Sequence, residues 1–171
     1  MISSTIFDFR SRFASRSGVL ALAALCAGQL SSPVAEARYA YVPAATIPES
    51  ALIRPVALVA TLGDSPDRMP LILQVGARVL YVQAHVPGSE YVGPGEEDEG
   101  IEALRARVAK LPHATPIVIY CGCCPWDHCR NIGGAYTALQ RLGFTAVKVL
   151  YLESDFGSNW VDRGYPVARG E

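Results

Sequence analysis

The sequence predicts a single α/β domain with a mainly parallel central sheet of about five strands flanked by helices. A short apolar run at 71–75 suits a strand buried on both faces, a β-branched run at 117–120 indicates a second strand, and the segment 147–150 is a further strand. Segments with helical spacing alternate with these runs, as they do in parallel α/β folds. A chain of 171 residues supports one such domain with its own core.

The first half of this pattern begins after a Pro- and Ala-rich stretch, 38–48, which reads as a linker or a short edge strand. Residues 49–62 are apolar with weak helical spacing, and Pro55 should kink or divide any helix there. The strand at 71–75 is followed by one or two helical turns within 77–84. A turn at 85–88 and a brief strand around 89–92 complete this half.

The second half opens with the clearest helix, Asp98 to Leu111. Apolar residues recur on one face of this segment, and acidic residues occupy its first turn, where they favour helix formation. The remaining elements are a strand, a helix ending before Gly143, a strand and a short helix, at 117–120, 132–142, 147–150 and 157–163.

The N-terminal segment has the three parts of a secretory signal peptide. Arg10, Arg12 and Arg16 precede an apolar stretch at 18–30, and an A-x-A site ends at Ala37. This predicts export to the periplasm, with residues 1–37 removed, 38–46 a linker, 47–168 the folded domain and 169–171 a tail. The apolar stretch is short for a membrane span, so an uncleaved anchor is the alternative and no membrane contact is expected after cleavage.

The charge balance excludes some partners. The formal net charge is −1, and no basic patch points to nucleic acid or to an anionic membrane surface.

Cysteines carry the strongest chemical signal. Four of the five fall within the nine residues 121–129, directly after the strand at 117–120. Cysteines this close together cannot cross-link distant parts of a fold, so their arrangement indicates local thiol chemistry. Backbone N–H groups of a loop between a strand and a helix stabilise a thiolate.

Three segments, in this order, resemble the rhodanese (sulfurtransferase) family. They are the turn His85-Val86-Pro87-Gly88-Ser89, the strand and cysteine at 117–121 followed by the helix end at 138–144, and the closing stretch 160–167. The resemblance implies a cysteine at the end of a central strand that accepts sulfane sulfur from a donor such as thiosulfate and passes it to a thiophile. By position this nucleophile is Cys121. The implied partners are a small sulfur-containing substrate or a thiol protein, and no cofactor is required.

The chain departs from the family pattern at two places. Gln74-Val75-Gly76 stands where the family usually has Asp-Val-Arg, which removes an acid and an arginine from the active-site side. The cysteine loop is also longer than the usual six residues, so that Arg130, the candidate anion-binding side chain, lies nine positions after Cys121.

The additional cysteines leave several functions open. In a redox relay Cys121 and Cys124 are the nucleophilic and resolving thiols, with Cys123, Cys129 and His128 accessory. A non-catalytic module is the alternative, in which Cys121, Cys124, Cys129 and perhaps His128 bind a thiophilic metal, or the loop docks on a redox partner. A phosphatase-like anion cradle from Cys124 to Arg130 is a third reading.

Overall fold

The computed structural model describes residues 43–63, 65 and 68–171. The predicted signal peptide and most of the predicted linker therefore lie outside the described residues. Among the helices of the described part, none is long and apolar enough to cross a membrane.

The described residues form a parallel sheet of five strands, which confirms the predicted fold class. Neighbouring strands are paired in the order β1-β5-β4-β2-β3, and every pair is parallel. The strands are β1 (Leu52–Ile53), β2 (Leu71–Gln74), β3 (Glu90–Tyr91), β4 (Ile117–Tyr120) and β5 (Val147–Leu150). Strand β4 lies at the centre, and all four of its residues are buried.

Four α-helices connect these strands within the described part of the chain: α1 (Pro55–Thr61), α2 (Arg78–Gln83), α3 (Asp98–Val108) and α4 (Arg130–Arg141). Pro55 is the first residue of α1. Backbone N–H groups in the first turn of a helix have no acceptor within the helix, so the missing N–H of proline costs no hydrogen bond there. Pro55 thereby divides the predicted helical segment, whose first part contains the short edge strand β1 instead. Helix α4 begins at Arg130, two residues before its predicted start.

Successive strand residues face two separate apolar layers. Leu73, Ile119 and Val149 pack in the layer that includes α3 and α4. Val118 and Leu150 face the opposite layer, which also holds Leu58 of α1 and the fully buried Trp160. This alternation follows from the period of two in a β-strand, and burial on both faces explains why the strand sequences are almost continuously apolar.

The turn that begins at His85 is fixed to the central strand. The Tyr120 hydroxyl accepts a hydrogen bond from the Val86 N–H and lies 3.0 Å from Ser89 Oγ. His85 is buried, stacks on Tyr81 and hydrogen-bonds to that residue's carbonyl oxygen. Burial raises the pKa of Tyr120, so its hydroxyl stays protonated at this junction.

Candidate functional site

The four clustered cysteines lie in the loop 121–129, which joins the end of β4 to the start of α4. Gly122 adopts a φ of 76°, and a Cβ at this position would lie 2.6 Å from Phe156 Cβ. Its carbonyl oxygen accepts a hydrogen bond from the Phe156 N–H, and the Trp126 N–H donates to Glu153 O. These contacts fasten the loop to the segment after β5.

The loop brings all four sulfur atoms together. The Sγ atoms of Cys121, Cys123, Cys124 and Cys129 lie within 4.8 Å of one another, and all four residues are free thiols. Cys121 Sγ is 2.9 Å from Cys123 Sγ, which in turn is 3.3 Å from Cys124 Sγ. Spacing in the sequence does not predict this convergence, because it depends on the path of the loop.

The cluster has a buried and an accessible side. Cys121 and Cys129 are each 3% exposed, Cys124 is partly buried, and Cys123 is exposed. A small cavity beside the cluster is lined by Cys121, Cys124 and Cys129 together with apolar side chains. A reagent from solvent therefore meets Cys123 first.

Asn131 is a site residue that the sequence did not identify. Its Nδ2 donates to Cys121 Sγ at 3.5 Å and to Cys123 Sγ at 3.6 Å. The other end of the amide is fixed, because Oδ1 accepts a hydrogen bond from the Glu96 N–H at 3.2 Å. Only the amide oxygen of Asn131 can accept a hydrogen bond from the Glu96 N–H. The NH₂ group therefore occupies the opposite side of the amide, where it is directed at the sulfurs. The only sequence signal is a polar residue in the first turn of an otherwise apolar helix face.

The segment 74–76, where the sequence differs from the rhodanese triplet, lies directly against Cys121. Gln74 Nε2 donates to the Cys121 carbonyl oxygen, and Gln74 Oε1 accepts from the Gly76 N–H, both at 3.2 Å. A Cβ at Gly76 would lie 2.8 Å from Cys121 Sγ. A side chain at this position is therefore incompatible with the present position of the Cys121 sulfur.

The pKa values of the two buried thiols are raised. The pKa of Cys121 is raised, because its protonated thiol lies against the sulfurs of Cys123, Cys124 and Cys129 and because burial disfavours its thiolate. For Cys129, the neighbouring Cys121 thiol lowers the pKa, but the neighbouring Cys123 sulfur and burial outweigh this, and the net pKa is raised.

The pKa values of the two more accessible thiols are lowered. The neighbouring Cys121 thiol lowers the pKa of Cys123 well below its usual value, and the same thiol also lowers the pKa of Cys124. The sequence predicted that loop amides would lower the pKa of Cys121, whereas in the structure the lowered pKa values are those of Cys123 and Cys124. The physical reason is that charge remains where water can solvate it.

The two polar candidates next to the cluster have other partners. Arg130 Nε lies 3.1 Å from Glu96 Oε2, with two-thirds of its side chain exposed. His128 Nδ1 lies 2.8 Å from Asp127 Oδ1, and its side chain is 76% exposed. The group of converging metal-ligand atoms found in the described residues consists of the four cysteines and does not include His128. Anion binding by Arg130 and an accessory role for His128 stay predictions.

Comparisons with known proteins agree with this fold. No family model matches the chain. The thiosulfate sulfurtransferase YnjE of Escherichia coli (strain K12) is 31% identical over 104 residues, which cover 56% of this chain. The chain spans only 22% of the length of that relative.

Solved structures of other proteins share this fold. The Alr3790 protein from Anabaena sp. matches with a TM-score of 0.52 and 20% identity, covering 69% of this chain and 92% of that one. A solution structure of the rhodanese-like domain of Alr3790 matches with a TM-score of 0.50 and 22% identity, covering 70% and 79%. The BH2092 protein from Bacillus halodurans matches with a TM-score of 0.52 and 16% identity, covering 70% and 77%.

Fold and site together define a rhodanese-like α/β domain that carries a cluster of four cysteines at the end of its central strand. The resemblance seen in the sequence is thereby confirmed at the level of the fold.

Replacing Asn131 by Asp is expected to reduce the reactivity of Cys123. The variant keeps an acceptor for the Glu96 N–H but replaces the donor that faces Cys121 and Cys123 with a negative charge. Because its pKa is lowered, Cys123 stays ionised at pH values at which an ordinary thiol is protonated. The added carboxylate raises that pKa. We expect the pH profile of Cys123 alkylation to be displaced upward by about one pH unit, so that labelling slows about tenfold at pH values below the midpoint of that profile.

The measurement is the rate of iodoacetamide labelling as a function of pH, with the modified cysteine located by peptide mass. Asn159→Asp is the matched control, because Asn159 Oδ1 accepts backbone hydrogen bonds from Ser154 and Asp155 outside the cysteine loop. An Asn131→Asp profile that superimposes on the wild-type profile contradicts the role assigned to this amide.

Proposed function

We propose that this protein is an exported sulfurtransferase that accepts sulfane sulfur on its cysteine cluster and delivers it from a Cys121 persulfide. The observation that carries the proposal is the 2.9 Å approach of Cys121 Sγ to Cys123 Sγ at the carboxyl end of β4. Cys121 has the strand-end position of the rhodanese nucleophile, and Cys123 supplies the accessible thiolate that Cys121 lacks.

Sulfur enters at Cys123 in this proposal. The Cys123 thiolate attacks the outer sulfur of the donor, and the sulfur–sulfur bond of the donor breaks. Its electron pair leaves with sulfite when the donor is thiosulfate, or with a thiolate when the donor is a persulfide. Exposure and the lowered pKa of Cys123 both support this residue as the point of entry.

The sulfur then moves inward to Cys121. Cys121 attacks the outer sulfur of the Cys123 persulfide, and Cys123 leaves as a thiolate that takes up the proton Cys121 loses. The existing contact between the two sulfurs supplies the path for this proton. The NH₂ group of Asn131, which faces both sulfurs, stabilises the negative charge as it moves between them.

Two fates follow for the Cys121 persulfide. An acceptor thiolate that attacks the outer sulfur removes it and regenerates Cys121. Attack by the Cys124 thiolate on the inner sulfur instead releases hydrosulfide and leaves a Cys121–Cys124 disulfide, which a partner thiol protein must reduce. The second branch is the thiol–disulfide chemistry predicted for the same loop.

The donor is proposed to be a persulfide or polysulfide rather than thiosulfate. Gln74 and Gly76 place no charged side chain beside Cys121, so the acid and the arginine of the family triplet are both absent here. The proposal also includes export to the periplasm, because residues 1–37 are a predicted signal peptide.

The test uses the full chain, reduced under anaerobic conditions and then treated with polysulfide or thiosulfate. Intact mass reports the gain of one sulfur atom, and cyanide or dithiothreitol serves as the acceptor. We expect Cys121→Ser to slow delivery to the acceptor by about two orders of magnitude, and Cys123→Ser to slow loading about tenfold.

Cys26→Ser is the matched control, because this fifth cysteine lies in the predicted signal peptide. It should load and deliver sulfur as wild type does. Delivery by Cys121→Ser at the wild-type rate would falsify Cys121 as the sulfur carrier. Equal loading by thiosulfate and polysulfide would contradict the proposed donor class.

A further inference from the structure

We propose that the four reduced thiols of the loop form a tetrathiolate site for one thiophilic divalent cation of the zinc type. The positions of the four sulfur atoms support this site, whether or not the chain transfers sulfur. The cation would bind to the cluster as a whole.

The sulfur positions fit a tetrahedral site. Zinc–thiolate bonds are about 2.3 Å long, which places the sulfurs of a tetrahedron about 3.8 Å apart. The four Sγ atoms lie within 4.8 Å of one another, with Cys121 and Cys123 separated by 2.9 Å and Cys123 and Cys124 by 3.3 Å. Tetrahedral spacing requires the two short pairs to separate by about 0.9 and 0.5 Å, and Cys123, which belongs to both pairs, is exposed.

The surroundings favour the negative charge of such a site. A divalent cation with four thiolates carries a net charge of −2, which requires hydrogen-bond donors around the sulfurs. Asn131 Nδ2 faces Cys121 and Cys123, and the Ile132 N–H donates to Cys129. Cys129 directly precedes α4, so the sulfurs also lie at the positive end of a twelve-residue helix.

The ligand set differs from the one that the sequence suggested. Cys123, which was not among the predicted ligands, contributes one of the four sulfurs. His128 was a candidate, but its side chain is directed to Asp127 and is largely exposed. Four thiolates without an imidazole make a site of the closed, structural kind, with no position left for a substrate.

Metal binding and sulfur transfer use the same atoms and exclude each other. A cation held by all four sulfurs leaves no thiolate to attack a donor, and its binding releases the protons that the thiols still carry. The metal-loaded chain is therefore expected to be inert toward polysulfide until a chelator removes the metal.

Cobalt(II) titration of the reduced, metal-free full chain under anaerobic conditions tests the site without any sulfur donor. We expect thiolate-to-cobalt charge-transfer bands and the visible bands of tetrahedral cobalt, saturating at one equivalent and displaced by zinc. Serine at any one of the four cysteine positions should weaken binding at least about 100-fold. Asn131→Ala should weaken it about 10- to 100-fold, as loss of a hydrogen bond to a ligand does.

Cys26→Ser should bind cobalt as wild type does. The absence of tetrahedral bands in the reduced wild-type chain overturns the proposal, as does undiminished affinity in Cys123→Ser. Loss of binding in His128→Ala overturns the all-sulfur ligand set. Because no sulfur donor is present, these results are independent of whether the chain transfers sulfur.

Discussion

Gly134→Ala is expected to lower the free energy of unfolding by about 2 to 3 kcal/mol. A Cβ on Gly134 would lie 1.9 Å from the Gly95 carbonyl oxygen, which is far inside van der Waals contact. Alanine in a helix interior normally gains about 1 kcal/mol over glycine, so the collision determines the sign of the effect. Urea denaturation monitored by circular dichroism measures the change.

The same collision should affect the cluster. The loop that contains Gly95 also supplies the Glu96 N–H that orients Asn131. If the loop moves to admit the methyl group, the amide loses this anchor and cobalt affinity should fall with stability. Gly63→Ala is the matched control, since a Cβ there meets nothing within 4 Å. Stability of Gly134→Ala equal to or above wild type would show that the contact between the loop and α4 is looser than described.

Trp160→Ala is expected to cost about 3 to 5 kcal/mol of unfolding free energy, the range for removal of a fully buried aromatic side chain. Trp160 is 0% exposed and stacks on Phe156 with ring centroids 5.7 Å apart. Its Nε1–H donates to the Pro166 carbonyl oxygen at 2.8 Å. The variant leaves a cavity beneath the segment that holds Gly122 and hence the cysteine loop.

Trp160→Phe separates packing from hydrogen bonding. It keeps an aromatic ring against Phe156 but loses the donor to Pro166, and should cost about 1 to 2 kcal/mol. Thermal and urea unfolding can both be followed by circular dichroism, and Trp126 remains as a fluorescent reporter. A cost below about 1 kcal/mol for the alanine variant would contradict a close-packed core at this position.

The sequence predicts the fold well because parallel strands have a local signature. The strand at 117–120 is continuously apolar and the strand at 147–150 is apolar except at exposed Lys148, and burial on both faces favours this composition. Strand β1 was not predicted, because its two residues merge with the apolar start of α1. Only pairing with β5, a contact distant in the sequence, identifies it.

The site is less predictable than the fold. The clustering of cysteines along the chain is visible in the sequence, whereas the ionisation pattern depends on which thiols are buried. The role of Asn131 requires a hydrogen bond from Glu96, 35 positions earlier. The conflict between a side chain at position 76 and the Cys121 sulfur is likewise a contact between separate strand ends.

This last contact limits how the protein can be re-engineered. Arginine introduced at position 76 to restore the family triplet would push the Cys121 sulfur aside before its guanidinium could reach any substrate. A charged side chain at this position therefore requires the Cys121 sulfur to be placed elsewhere first. The glycine and the thiol cluster form one structural unit, to be exchanged together.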